Sequence, residues 1–115
     1  MAAEDAFDVG LRREPGRLVL RPRGELDIAT VPRLRDAMAQ RRSDEALVLD
    51  LRDLAFLDTS GLQIVVEVSR RARTEGFELT LVRGGHGVQR VFEIAGLTEM
   101  LPFADRAPGD DGDVA

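Results

Sequence analysis

The chain has 115 residues, enough for one domain that buries roughly two-thirds of the surface its unfolded form would expose, and too short for a second. Its formal charge of −5 sits in the ends, with −2 over residues 1–6 and −3 over residues 104–115, so the middle is neutral and does not suit a binder of phosphate backbones. All 16 basic residues are Arg, and Lys, Cys, Trp and Tyr are absent beside a single His86, which removes lysine and thiol chemistry, thiolate or paired-His metal sites, a hydrolase triad and base-stacking platforms.

Phe7, Val9 and Leu11 alternate with Asp8, Gly10 and Arg12, which predicts a strand with one buried face. Glu14-Pro15-Gly16 turns the chain, and a second strand starts at Leu18 and ends near Glu25, an antiparallel hairpin. Thr30 is a candidate N-cap with Pro32 in the first turn, and Val31, Leu34, Ala37 and Met38 follow at helical spacing. Ala46–Leu51 is a nearly continuous apolar run, as expected of a strand buried on both faces. Leu62–Val68 is rich in β-branched residues, but Gln63, Glu67, Arg70, Arg71 and Thr74 recur every three or four positions. That spacing, with Gly76 as a C-terminal stop, predicts a helix from about Ser60 to Glu75. Phe77, Leu79 and Leu81 mark another strand, Gly84-Gly85-His86-Gly87 a flexible turn, and Val88, Val91, Phe92 and Ala95 a short helix ended by Gly96. Leu101-Pro102-Phe103 suits a brief edge strand, and the Pro, Gly and Asp from Ala104 onward predict disorder.

The order β-β-α-β-α-β-α predicts a single α/β domain over residues 7–103, between an acidic extension (1–6) and an acidic tail (104–115). Its sheet is mixed, with four to five strands, one hairpin and parallel neighbours. No apolar run approaches the ~18 residues that span a bilayer. The first residues lack the basic start and apolar stretch of a signal peptide. A cytoplasmic protein with no direct membrane insertion and no nucleic-acid partner is expected.

Ligands gather at the carboxyl ends of strands in such sheets, which directs attention to Glu25–Asp27, Asp53–Ser60 and Arg83–Gly87. Between the central strand and the second helix runs Phe56-Leu57-Asp58-Thr59-Ser60-Gly61-Leu62. Thr59 and Ser60 both suit an N-cap, and Gly61 keeps the first turn free of bulk. A hydroxyl there also lies where helix-end N–H groups favour an anion; capping alone is the simpler role. Asp27, Asp50, Asp53 and Asp58 read as a solvated rim rather than a metal site, and no cofactor is expected. The glycines at 84, 85 and 87 lack the spacing of a nucleotide loop.

Leu49-Asp50-Leu51, the Asp58-Thr59-Ser60-Gly61-Leu62 string and the earlier Gly24-Glu25-Leu26-Asp27-Ile28-Ala29-Thr30 together resemble the STAS family (sulfate transporter and anti-sigma factor antagonist). Arg90-Val91-Phe92 through Gly96-Leu97 is similar to its third helix and exit, so the resemblance runs from about Phe7 to Phe103. It is nearest to the bacterial anti-sigma factor antagonists. In that group an anti-sigma factor, itself a serine/threonine kinase, phosphorylates the hydroxyl residue after the motif's Asp. The unmodified antagonist binds the kinase and frees a sigma factor, and a PP2C-type phosphatase reverses the modification. The resemblance implies Thr59 as that position, with neighbouring Ser60 a lesser candidate and no catalysis by this chain. It also implies a partner surface of Asp27, Asp58, Thr59, Ser60 and Gly61, continued along the second helix by Gln63, Val66, Glu67 and Arg70. Two departures stand out: the position is often Ser, and residues 106–115 cannot make the amphipathic helix that commonly ends the family. Other readings are a soluble STAS subunit of a lipid or anion transport system, or a nucleotide-binding sensor, for which the missing Lys is unfavourable.

Overall fold

The computed structural model describes residues 6–109, in which six strands and three helices form one mixed sheet with helices on one side. The strands are β1 (Asp8–Glu14), β2 (Arg17–Leu26), β3 (Ala46–Asp50), β4 (Leu54–Leu57), β5 (Leu79–Val82) and β6 (Phe103–Ala104). The helices are α1 (Val31–Met38), α2 (Thr59–Glu75) and α3 (His86–Ile94). β1 and β2 form the expected hairpin, and β2, β3, β5 and β6 then run parallel. β2 pairs with β3 as far as Leu20 and with β4 from Gly24 onward, also in parallel, with a register shift between Gly24 and Glu25. Position 24 needs glycine: its φ is +101°, and a Cβ there would lie 2.1 Å from the Ala6 carbonyl oxygen.

Leu18, Leu20, Leu47, Leu49, Leu79 and Leu81 point to the helix side and meet Leu34 and Met38 of α1, Ile64, Val65 and Val68 of α2, and Val88 and Phe92 of α3. Val19, Val48 and Val82 point the other way, where no helix lies among the described residues. Ala107 covers them and is only 3% exposed. The chain reaches that face through β6, with the Ala104 carbonyl accepting from the Arg83 N–H at 2.9 Å and the Asp105 carboxylate pairing with the Arg83 guanidinium at 2.9 Å. The disorder expected from Ala104 onward is thus corrected for residues 104–109; residues 110–115, like 1–5, lie outside the described residues.

The sheet has one strand more than expected. β4 is four residues long with Ala55 and Phe56 exposed between two buried leucines, a pattern too short to register as alternation. Thr30 precedes α1 as expected but does not cap it with its hydroxyl. The hydroxyl donates to the Glu25 carbonyl at 2.7 Å and accepts the Asp27 N–H at 2.9 Å. The final turn also differs, since His86 and Gly87 open α3 rather than a flexible loop.

Asp50, at the end of β3, is 2% exposed and corrects its reading as part of a solvated rim. Burial pushes its carboxyl pKa up, but hydrogen bonds from Arg52 and the charges of Arg52 and Arg21 hold it, on balance, below the ordinary value. Glu45 is lowered as well, by hydrogen bonds from the Arg13 side chain and the Arg42 backbone. A carboxylate depressed in the folded state binds fewer protons than in the unfolded chain, so its stabilisation is complete above the unfolded pKa and is lost as pH falls through the folded one. Thermal melts should therefore be flat from about pH 8 to 5 and fall below about pH 4. The deficit of Asp50→Asn relative to the parent should narrow over the same acid range; a constant deficit would contradict this account.

Candidate functional site

The second helix begins where β2, β4 and α2 converge. Asp58 is the N-cap: its carboxylate accepts the N–H of Ser60 at 2.8 Å and of Gly61 at 3.2 Å. Its own N–H donates to the Leu26 carbonyl at the end of β2, at 3.2 Å. Gly61 rests on the same carbonyl, since a Cβ there would fall 2.8 Å from the Leu26 oxygen and 3.0 Å from the Leu57 Cβ. The helix thus sits with its backbone against the strand end, and any side chain at 61 pushes it away.

This corrects the expectation that Thr59 or Ser60 caps the helix. Because Asp58 performs that role, Thr59 becomes the first helical residue, and its exposed hydroxyl has no hydrogen-bond partner among the described residues. Ser60 is half-buried and faces the groove between α1 and α2. The two hydroxyls therefore differ in access, which the sequence alone does not resolve.

The loop from β2 to α1 repeats the device. Asp27 accepts the N–H of Ala29 at 3.0 Å and of Thr30 at 3.1 Å, a local Asx turn that launches α1. The carboxylates of Asp27 and Asp58 are thus both engaged by backbone and shape the rim. Between the two launching turns, Ile28 is 78% exposed. It lines a groove of about 320 Å³ with Pro32 and Arg35 of α1 and Ser60, Gln63 and Glu67 of α2. Arg35 and Glu67 pair across it at 2.5 Å. A second shallow groove along α2 is lined by Leu62, Gln63, Val66, Glu67 and Arg70.

The structure therefore brings the expected helix residues onto one continuous surface with Ser60, next to Thr59. Val66 is half-buried and lines the second groove. Sequence reasoning missed Ile28, Pro32, Arg35 and Leu62. Ile28 carried no distinguishing signal: it stands three residues before Val31 and reads by spacing as a continuation of the buried face of α1.

No group of three or more His, Asp and Glu is placed to hold a metal among the described residues. The Gly84 N–H, which a nucleotide loop would offer to phosphate, donates instead to the Gln89 side chain at 2.8 Å. No described helix is long and apolar enough to cross a membrane.

A family model for the STAS domain matches residues 9–107. The anti-sigma F factor antagonist of Paenibacillus polymyxa is 31% identical over 102 residues, covering 86% of this chain and 87% of that protein. Among solved structures, an anti-sigma factor antagonist from Mycobacterium paratuberculosis superposes with a TM-score of 0.78 at 27% identity, over 97% of this chain and 95% of that one. The Bacillus antagonist SpoIIAA shares the fold in its unphosphorylated form, with a TM-score of 0.72 at 23% identity over 93% of this chain and 95% of that one. In its phosphorylated form the TM-score is 0.69 at 21% identity, over 95% and 98%.

Losing the cap should cost Asp58→Ala about 1 kcal/mol in chemical denaturation. Gly61→Ala should cost more, on the order of 2 kcal/mol, because its Cβ meets backbone that cannot step aside. If Gly61→Ala is neutral, the close seating of α2 on β2 is wrong.

Proposed function

The chain belongs to the STAS domain family, and on that premise we propose that it is an anti-sigma factor antagonist switched by phosphorylation of Thr59. In this reading the unmodified protein binds an anti-sigma factor serine/threonine kinase in the cytoplasm and so releases a sigma factor. A PP2C-type phosphatase reverses the modification and restores the binding-competent form, and the protein itself catalyses nothing. The observation that carries the reading is the free, exposed hydroxyl of Thr59 at a helix start already capped by Asp58. Ser60, half-buried against the α1–α2 groove, is the lesser acceptor. Asp27, Asp58 and Gly61 shape the rim of the docking surface, and Gln63, Val66, Glu67 and Arg70 extend it along α2, with Ile28 as its apolar projection.

The physics favours a switch at the interface over a switch in the fold. A phosphate adds about −1.5 to −2 charge. The N-terminal end of α2 stabilises that charge by ~0.3–1 kcal/mol, and the adjacent Asp58 opposes it by a comparable amount. These effects roughly cancel in the free protein. Enclosed in a packed interface without a partner, the same charge costs several kcal/mol, and each ~1.4 kcal/mol is tenfold in affinity. The existence of unphosphorylated and phosphorylated SpoIIAA structures with closely similar scores against this fold accords with a change that leaves the domain intact.

Incubation with the cognate kinase and Mg-ATP, followed by peptide mass mapping, should locate the phosphate on Thr59. Thr59→Glu should weaken binding of that kinase by about 100-fold or more while leaving the melting temperature within a few degrees. Unchanged affinity for a demonstrated partner would sink the proposal, and recovery of a transporter subunit in its place would favour the transport-system reading.

A further inference from the structure

β1 is an open edge: β2 takes one side of it, and no described strand takes the other. Glu14 and Arg17 face each other across the two-residue turn Pro15-Gly16, which makes them the hydrogen-bonded pair closing the hairpin. Alternation from there makes Arg12–Val19, Gly10–Arg21 and Asp8–Arg23 bonded pairs and leaves Val9–Pro22, Leu11–Leu20 and Arg13–Leu18 unbonded. Pro22, which has no N–H to donate, falls in an unbonded pair, as that alternation requires. The N–H and C=O groups of Val9, Leu11 and Arg13 therefore point outward from the sheet.

We propose that this edge pairs antiparallel with the β1 edge of a second copy of the chain, centred on Gly10. Outward groups meet only in registers that set odd-numbered residues opposite odd-numbered ones. A register centred on Leu11 sets Asp8 against Glu14 twice and Val9 against Arg13, and one centred on Arg12 sets that arginine against itself. The register centred on Gly10 sets Asp8 opposite Arg12 on both sides of the two-fold axis and Val9 opposite Leu11. Opposite charges and apolar pairs across strands stabilise, whereas like charges destabilise. Leu11, 47% exposed in the single chain, gains an apolar neighbour in the half-buried Val9 of the other copy. Gly10 leaves no side chain at the axis, where a Cβ would meet only Arg21 within 4 Å in its own chain. Asp8 and Arg12 hold exposed ion pairs with Arg23 and Glu14, at 2.7 and 2.8 Å, that constrain them little.

The contact is isologous. Its two-fold axis stands perpendicular to the joined sheet, so the helices of both copies lie on one face. The parallel strands run in opposite directions in the two copies, which puts the two Thr59 ends at opposite rims and leaves both accessible. Two short strand edges bury less than a standard interface, so the dissociation constant is on the order of 100 μM.

Sedimentation equilibrium from about 10 μM to 1 mM should show the parent passing from monomer to dimer. Asp8→Arg and Arg12→Asp should each weaken the dimer by about tenfold or more, with circular dichroism unchanged. An equimolar mixture of these two variants restores every opposite-charge pair and should recover association to within about threefold of the parent. Leu11→Lys should weaken it independently of the paired charges. A parent that stays monomeric to about 1 mM, or a dimer indifferent to both charge reversals, overturns the proposal. Because the readout is mass alone, it stands or falls separately from any binding to an anti-sigma factor.

Discussion

One backbone oxygen organises this molecule. The Leu26 carbonyl accepts the Asp58 N–H and is the surface on which Gly61 rests, so the end of β2 and the start of α2 are held together without an intervening side chain. From that contact the rest of the site follows. The far end of β2 pairs with β4, β4 delivers the chain to Asp58, and the Asp58 carboxylate satisfies the first free N–H groups of α2. Thr59 is then left one residue inside the helix, with its side chain outside every hydrogen-bonding arrangement the fold requires.

In the proposed reading, that division of labour separates architecture from signalling. A residue that capped the helix could not be modified without loosening it, since its oxygen would be both structural acceptor and reactive group. Here the acceptor is a carboxylate, and the hydroxyl proposed to take the phosphate is its neighbour. The loop ahead of α1 is built on the same plan, with Asp27 holding the turn and Ile28 left projecting from it. Two Asx-type launches side by side thus yield a rigid rim bearing one hydroxyl and one large apolar side chain.

Much of this was legible in the chain. The polar residues of α2, spaced at three and four, identified it as a helix despite its valines and isoleucine, and the apolar run of β3 announced a strand buried on both faces. Three features were not legible, each for a physical reason. Asp58, Thr59 and Ser60 are all competent caps, and only the three-dimensional position of the strand end selects among them. β4 is too short and too exposed for periodicity to reveal it. Ala107 is a single methyl in a Pro-, Gly- and Asp-rich stretch, and its burial depends on a strip of valines contributed by β2, β3 and β5.

The way that strip is covered bears on how the domain breathes. The helix side is sealed by three helices packed through many large side chains, whereas the opposite side is sealed by residues 104–109, secured by the short β5–β6 pairing, an ion pair with Arg83 and one buried alanine. Segments with so few apolar contacts open at a small fraction of the global unfolding free energy. The two faces of one sheet are therefore secured to different degrees. Residues 104–109 are thus the segment expected to open first, on the side of the sheet away from the helices.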